Sequence, residues 1–183
     1  MDKTLSLLKT RRIVTKYRRL TIEELQNLEM EFISFLVVNG IPAEDWEQIK
    51  EDEAKSQGLI DSFSDVVFEK ILRQIEYVAH YSKNSVKVFH CRADSIHLIG
   101  VDTGATDIDL TAEAGIQRLQ SNPPADIQIY QSSKTYMPNR EQEIFKMLGQ
   151  GCVKTDGSLY KFCLLYTSPS PRDRTRSRMP SSA

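Results

Sequence analysis

The hydrophobic period of the sequence changes at Lys83-Asn84-Ser85. Before this point apolar residues recur at helical spacing. After it, residues 86–91 and 96–101 alternate with a period of two, which predicts two strands joined by a tight loop. Helices followed by a hairpin are typical of an α+β fold, so we predict this class with a small, mainly antiparallel sheet.

A capping box predicts where the first helix begins. Thr21 is followed three residues later by Glu24, so that a hydroxyl and a carboxylate can satisfy the free amides of a helix start. An apolar stripe of Leu25, Leu28, Phe32, Phe35 and Leu36 then runs to about Val38. Asn39-Gly40 predicts a left-handed end to this helix.

Two further helices are predicted before the hairpin. One covers residues 43–57 and ends at Gly58, and the next begins at Ser62 or Ser64 and runs to about Tyr81. Because the apolar stripes of the first helix and of the helix that ends near Tyr81 are wide, we expect a helical hairpin or three-helix segment packed on the sheet.

Two more helices and one strand are predicted after the hairpin. The helices cover about residues 111–120 and 140–148, and the strand covers residues 127–130. Asp156-Gly157 predicts either a hairpin turn or the start of another helix. The domain organisation is therefore a basic extension over residues 1–16 and a single α+β domain over residues 17–162.

Composition favours a soluble protein of the cytoplasm. Of the 183 residues, 40% are hydrophobic and 27% are charged. The longest apolar run, residues 35–38, is far shorter than the ~20 residues of a membrane span, and no secretory signal is present. Three cysteines without paired spacing favour reduced thiols over a disulfide framework.

The chain changes character from Cys163 onward. Ser, Pro and Arg without apolar periodicity predict disorder for residues 163–183. A basic Ser-Arg arm for RNA or a phosphorylated tail would have this composition. The segment also resembles the conceptual translation of a sequencing adapter, which implies a non-native tail. Without residues 164–183 the chain carries 20 basic and 24 acidic side chains, which does not favour nucleic-acid binding.

The first twenty residues contain seven basic side chains and one acid, Asp2. Such an arm can contact RNA, which gives one alternative function for the chain. A solvated chain terminus has the same composition and is the simpler interpretation.

Asp102 is the candidate catalytic residue. Residues 99–106 resemble the Asp-Thr-Gly-Ala signature of retroviral-type aspartic proteases. The resemblance implies a homodimer in which the Asp102 carboxylates of two subunits share a proton. Those enzymes are all-β, whereas helices are predicted on both sides of this segment, so an ordinary turn is the simpler interpretation.

His90 and His97 are the candidate metal ligands. If Cys91 pairs with Ile96 across the hairpin, the two histidines are also paired. Two imidazoles supply half of a zinc site, which His80, Cys91 or Asp94 would have to complete. The alternative is a polar rim of the sheet.

A group of four acidic residues, Asp102, Asp107, Asp109 and Glu113, offers a second place for a cation. Its spacing lacks the pattern of a calcium loop, so a solvated loop is the simpler interpretation.

The chain is similar to a family of short proteins of unknown function from Bacteroidetes-type bacteria. The resemblance covers about residues 16–162 and is carried by Tyr17-Arg18-Arg19-Leu20-Thr21, Glu31-Phe32, Phe35-Leu36, Asn39-Gly40-Ile41, Trp46, Phe63-Ser64-Asp65 and Ile144-Phe145. It implies a small cytoplasmic protein and supplies no catalytic residue or cofactor.

The sequence contains no assembled catalytic constellation, and its two wide apolar helix stripes exceed what a three-stranded sheet can cover. We therefore predict a non-enzymatic protein-interaction domain that binds a protein partner or forms a homodimer, without a cofactor and away from membranes. The alternatives are a hydrolase, protease-like at Asp102 or metal-assisted at His90 and His97, and an RNA-associated protein.

Overall fold

The computed structural model describes residues 15–104 and 107–167. These residues form seven helices and an antiparallel five-stranded sheet, which confirms the α+β class. The chain divides into two compact units between Gln74 and Ile75.

The first unit contains four helices: α1 (Ile22–Asn27), α2 (Glu29–Val38), α3 (Ala43–Ile49) and α4 (Glu53–Arg73). The predicted capping box is confirmed. Thr21 Oγ1 accepts a hydrogen bond from the Glu24 amide at 3.2 Å, and the Glu24 carboxylate accepts one from the Thr21 amide at 2.8 Å. Gly40 has a φ of +74°, so the predicted left-handed end is also confirmed.

The predicted first helix is two helices in the structure. Leu28 has a φ of −113° and a ψ of +24°, outside the helical region. Its amide bonds to the carbonyl of Leu25, three residues back, and α2 starts again from this turn. The sequence gives no signal for this break, because Leu28 continues the apolar stripe.

The predicted start of the long helix is wrong. The Asp52 side chain accepts from the Lys55 amide and caps α4 ten residues earlier than expected, so Gly58 lies inside the helix. The hydroxyls of Ser62 and Ser64 do not cap it. They bond to main-chain carbonyls four residues back, at 2.9 and 2.7 Å, which is the other arrangement open to serine in a helix.

An extended segment before α1 is held by acidic side chains on one face of α4. Asp61, only 7% exposed, binds the Arg19 guanidinium at 2.5 and 2.8 Å. Two turns later, the Glu69 carboxylate accepts from Lys16 Nζ at 2.6 Å and from the Tyr17 hydroxyl at 2.7 Å. Burial and the bond to Glu69 raise the pKa of Tyr17 to about 12.

Aromatic rings from three helices form the core of this unit. The ring of Phe32 on α2 lies with its centroid 5.2 Å from that of Trp46 and 5.1 Å from that of Phe63. Phe35 lies 5.4 Å from Phe63, which is 2% exposed. The centroid separations and tilted rings are those at which aromatic pairs attract each other.

The second unit is built on the sheet, in the order β4-β3-β2-β1-β5. Its strands are β1 (Tyr77–Tyr81), β2 (Ser85–Cys91), β3 (Ser95–Asp102), β4 (Gln128–Thr135) and β5 (Val153–Thr155), and its helices are α5 (Glu113–Ser121), α6 (Arg140–Gly149) and α7 (Ser158–Thr167). The β2–β3 register is confirmed, with His90 opposite His97 and Cys91 opposite Ile96.

The prediction that the long helix reaches Tyr81 is wrong, because strand β1 occupies Tyr77–Tyr81. α4 ends at Arg73, and β1 pairs with β2 on one side and β5 on the other. Val78 and Ala79 are fully buried there. Pairing on both sides makes this segment a central strand. Its five residues are too few to distinguish a helical period of hydrophobic residues from the period of two that is typical of a strand.

The apolar core of the second unit lies on the side of the sheet covered by α5 and α7. It includes Val86, Val88, Ile99 and Val101 from the hairpin, and Leu110, Leu119, Leu159 and Cys163 from the segments that cover it. On the opposite side of the sheet, Val78 and Ile96 are also buried.

Helix α7 extends past the predicted domain end at residue 162. Asp156 accepts from the Ser158 amide at 2.9 Å, so Asp156-Gly157 begins a helix and does not form a hairpin turn. Cys163 follows Leu159 by four residues on the same face and is fully buried, which corrects its assignment to a disordered tail. The rest of the predicted tail, residues 168–183, lies outside the described residues.

Gly115 is required by the close approach of α5 to Asp109. A Cβ at position 115 would lie 1.9 Å from the main-chain oxygen of Asp109, so we expect Gly115→Ala to lower the free energy of unfolding by ~1–3 kcal/mol. Gly149 has no atom within 4 Å of such a Cβ, and Gly149→Ala should raise it by ~0.5–1 kcal/mol. Urea unfolding followed by circular dichroism measures both variants. Equal stability of Gly115→Ala and the unchanged protein would contradict this packing.

Candidate functional site

One row of paired residues crosses the sheet from edge to edge. It consists of Thr155, Tyr77, His90, His97 and Ser133, one from each strand. Paired residues of antiparallel strands point to the same side, which here is the side covered by α7. The neighbouring row on this side contains Ala79, Val88 and Ile99 of the core. The histidines therefore lie where the apolar core meets the hairpin end of the sheet.

Tyr160 of α7 brings the aromatic members of this row together. Its ring centroid lies 5.5 Å from that of Tyr77, 5.3 Å from that of His90 and 5.8 Å from that of His97. Its hydroxyl is 2.5 Å from Nδ1 of His97, and the residue is 3% exposed. Sequence reasoning did not identify Tyr160, because 63 positions separate it from His97.

Arg92, in the loop between β2 and β3, completes this histidine–tyrosine cluster. Its Nε donates a long hydrogen bond, 3.4 Å, to Nδ1 of His90. Burial raises the pKa of the Tyr160 hydroxyl, and a hydrogen bond from Arg92 partly opposes that rise. The phenol therefore keeps its proton at neutral pH and can donate it to His97.

The hydrogen bonds at Nδ1 determine where each imidazole carries its proton. An Nδ1 that accepts from Arg92 leaves the proton of neutral His90 on Nε2. Nδ1 of His97 is hydrogen-bonded to the Tyr160 hydroxyl, and when the phenol is the donor, neutral His97 also carries its proton on Nε2. Within the described residues, neither Nε2 atom takes part in a hydrogen bond.

The described part of the chain contains no group of three side chains that could hold a metal ion at the two histidines. His80 and Cys91, two of the predicted third ligands, occupy the opposite side of the sheet from His90. The Asp94 carboxylate accepts from the Ser95 hydroxyl. The histidine half of the predicted zinc site thus forms without a third ligand there.

Asp102 ends β3 and forms a turn. Its carboxylate accepts from the Gly104 amide at 2.8 Å, and Gly104 has a φ of +62°. Thr103 is buried, and its hydroxyl donates to the carbonyl of Asn84 at 3.0 Å. The Asp-Thr-Gly turn therefore hydrogen-bonds the end of β3 to the residue that precedes β2. Residues 105–106 of the protease-like motif lie outside the described residues.

Asp107 and Asp109, two other acidic candidates, accept hydrogen bonds from helix α5 and from their own loop. Asp107 accepts from Arg118 at 3.2 Å, and Asp109 accepts from the amide and hydroxyl of Thr111. These bonds lower the pKa of both carboxyl groups. Thr111 does not open the helix as predicted, because α5 begins at Glu113.

The basic residues at the start of the described chain are occupied by ion pairs. Lys16 and Arg19 are bound by α4, and Arg18 binds Glu24 at 2.7 and 2.8 Å. Its guanidinium lowers the pKa of Glu24 to about 2. The remaining basic residues of the predicted RNA-binding arm fall within residues 1–14, outside the described ranges.

Helix α2 has an exposed apolar face, which we call the α2 stripe. It consists of Met30 (72% exposed), Ile33 (46%) and Val37 (63%), on the side opposite Phe32 and Leu36. Seven of the ten α2 residues are Met, Phe, Ile, Leu or Val, so the sequence shows a largely apolar helix. Periodicity alone did not show which side is covered.

Residues 15–166 match the model of a family of unknown function, DUF6495. The match spans both units and ends one residue before the end of α7. No curated protein and no solved structure matches the chain. No helix among the described residues has the length and apolar character needed to cross a bilayer.

The environment of His90 should be visible in its titration. Burial, and then the charge of Arg92, lower its pKa below the ordinary 6.5, while Glu76 opposes them. We expect a midpoint below 6.5 by NMR, and Arg92→Gln should raise it by removing the like charge. Lys87→Gln, on the opposite side of the sheet, is the control and should leave it unchanged.

The sign of the accompanying stability change follows from the lowered pKa. As pH falls through 6.5 the unfolded chain takes up the His90 proton first, so the contribution of this residue to stability decreases below that pH. A midpoint at or above 6.5 would show that the imidazole is not desolvated as described.

Proposed function

The chain belongs over residues 15–166 to DUF6495, a family of unknown function, and we propose that it is a non-enzymatic domain that forms a homodimer through the α2 stripe. The single observation that carries this proposal is the exposure of Met30, Ile33 and Val37 on one helix. The proposal concerns the first unit and does not depend on the histidine–tyrosine cluster.

Helix α2 is apolar on all sides but covered on only one. Seven of its ten residues are Met, Phe, Ile, Leu or Val. A helix that is hydrophobic all round is normally buried all round. Here Phe32 and Leu36 are directed inward, toward Trp46 and Phe63, whereas the α2 stripe remains in water. Burying that stripe against another helix would remove the cost of its hydration.

A second copy of the chain suits this stripe. Its members are separated by three and then four residues, the spacing at which helices pack along a common seam. Ser34 lies between them, and its hydroxyl donates a hydrogen bond to the Met30 carbonyl at 2.9 Å. The centre of the stripe is therefore occupied by a small side chain whose hydroxyl already has a partner. No charged residue lies within the stripe to repel an identical surface.

Charge at the ends of α2 favours an antiparallel arrangement of the two copies. Glu29 and Glu31 both lie in its first turn. Parallel packing would bring four carboxylates together, whereas antiparallel packing separates the two pairs by about the length of the helix, ~15 Å. An antiparallel pair is also consistent with the two-fold symmetry of most homodimers.

We infer a location in the bacterial cytoplasm. Cys91, Cys152 and Cys163 are free thiols, and burial raises the pKa of Cys91 and Cys163 to about 11. Thiols held in the protonated form are unreactive, and unpaired cysteines are typical of a reducing compartment.

Substitution within the α2 stripe tests the dimer. We expect Ile33→Glu and Val37→Glu, made in the full chain, each to raise the dimer dissociation constant by about tenfold or more, because each buries a charge at the seam. Val66→Glu is the matched control: Val66 is 53% exposed on α4, outside the stripe, and should leave the constant unchanged. Analytical ultracentrifugation over a range of concentrations measures all four proteins.

Two outcomes would reject the homodimer. The unchanged protein could sediment as a monomer at every concentration, which would leave the stripe without the proposed occupant. Alternatively, Val66→Glu could dissociate the dimer as strongly as Ile33→Glu, which would place the interface elsewhere. Circular dichroism spectra that match the unchanged protein establish that each variant is folded.

A further inference from the structure

We propose that the histidine–tyrosine cluster binds the phosphate group of a small molecule, with Arg92, His90 and His97 as the binding residues. The proposal rests on three observations about the second unit: a guanidinium without a carboxylate partner, two adjacent imidazoles whose Nδ1 atoms are both occupied, and a polar row that ends in an exposed hydroxyl.

Arg92 differs from several other arginines of the chain in its partners. Within the described residues no carboxylate pairs with its guanidinium, and its Nε donates to Nδ1 of His90. By contrast, Arg19 and Arg118 bind carboxylates in the same structure. Arg92 is exposed, so its remaining N–H groups are available to an anion from solution.

The two histidines add donors and not acceptors. Because Nδ1 of His90 accepts from Arg92, neutral His90 presents an Nε2–H group, and His97 presents one when the Tyr160 hydroxyl donates to its Nδ1. Both rings are only half-buried. Their positions opposite each other on neighbouring strands place the two rings side by side.

Neighbouring residues support an anion more than a cation. Ser133, paired with His97 on the edge strand, is exposed and offers a hydroxyl. Lys161 lies 6.0 Å from the centroid of Tyr77 and adds a positive charge. Glu76 opposes them through its charge on His90, and Asp94 is bonded to Ser95. Donors around one cationic fork match the oxygens of a phosphate group.

Titration with inorganic phosphate, at constant ionic strength and with the full chain, tests the site. We expect saturable shifts of the Nε2 resonances of His90 and His97. Arg92→Gln should weaken phosphate binding by about tenfold or more, since a charged hydrogen bond is lost. Lys87→Gln removes one positive charge from β2, the strand of His90, but on the opposite side of the sheet, and should change the affinity by less than about twofold.

A second variant separates binding from folding. Tyr160→Phe keeps the ring packed among Tyr77 and His90 but releases Nδ1 of His97, so we expect weaker phosphate binding with an unchanged circular dichroism spectrum. Tyr160→Phe should also change which nitrogen of His97 carries the proton, because the hydroxyl no longer bonds to Nδ1. If the hydroxyl only supported packing, the position of this proton would stay the same.

Three results would overturn the proposal. The imidazole resonances could show no saturable shift at roughly 10 mM phosphate, where even weak specific sites are occupied. Lys87→Gln could weaken binding as much as Arg92→Gln, which would indicate attraction to overall charge. Acetate could bind as tightly as phosphate, which would reject the assignment to a phosphate group.

Discussion

The pairing of β2 with β3 determines which side of the sheet each hairpin residue occupies. In this register Val86, Val88, Ile99 and Val101 lie under α5 and α7, and the two histidines follow on the same side. A slip of β2 by one residue would move Val86, Val88 and His90 to the opposite face and bring charged Lys87 into the core. The packing of α7, and with it the contact of Tyr160 with His97, therefore depends on this single register.

Charge has a structural role in the first unit. A stretch of basic residues before α1 would attract nucleic acid if it were free, but Arg19 is bound to a nearly buried Asp61 and Lys16 to Glu69. Removing Asp61 would leave a guanidinium without its partner, while Glu69 would still bind Lys16 and Tyr17. In the same unit, the apolar side chains of the α2 stripe are exposed to water. The basic residues next to α1 are thus bound within the unit, whereas Met30, Ile33 and Val37 of α2 are exposed.

Local signals in the sequence were sufficient for some elements and insufficient for others. The capping box at Thr21 and the β2–β3 register each depend on a few adjacent residues, and the structure confirms them. β1 and β5 could not be predicted, because five and three residues are too short to show a period and both depend on pairing with distant strands. The pairing of the histidines could be predicted, but their contact with Tyr160 could not, because α7 is brought to them only by the folded core.

Aromatic residues are divided unevenly between the two units. Trp46 is the only tryptophan of the chain and lies against Phe32 in the first unit. Six of the seven tyrosines belong to the second unit, Tyr17 being the exception. Tryptophan and tyrosine emission therefore report on different parts of one molecule. Their intensities, followed together during denaturation, show directly whether the two units lose structure in one cooperative step or in succession.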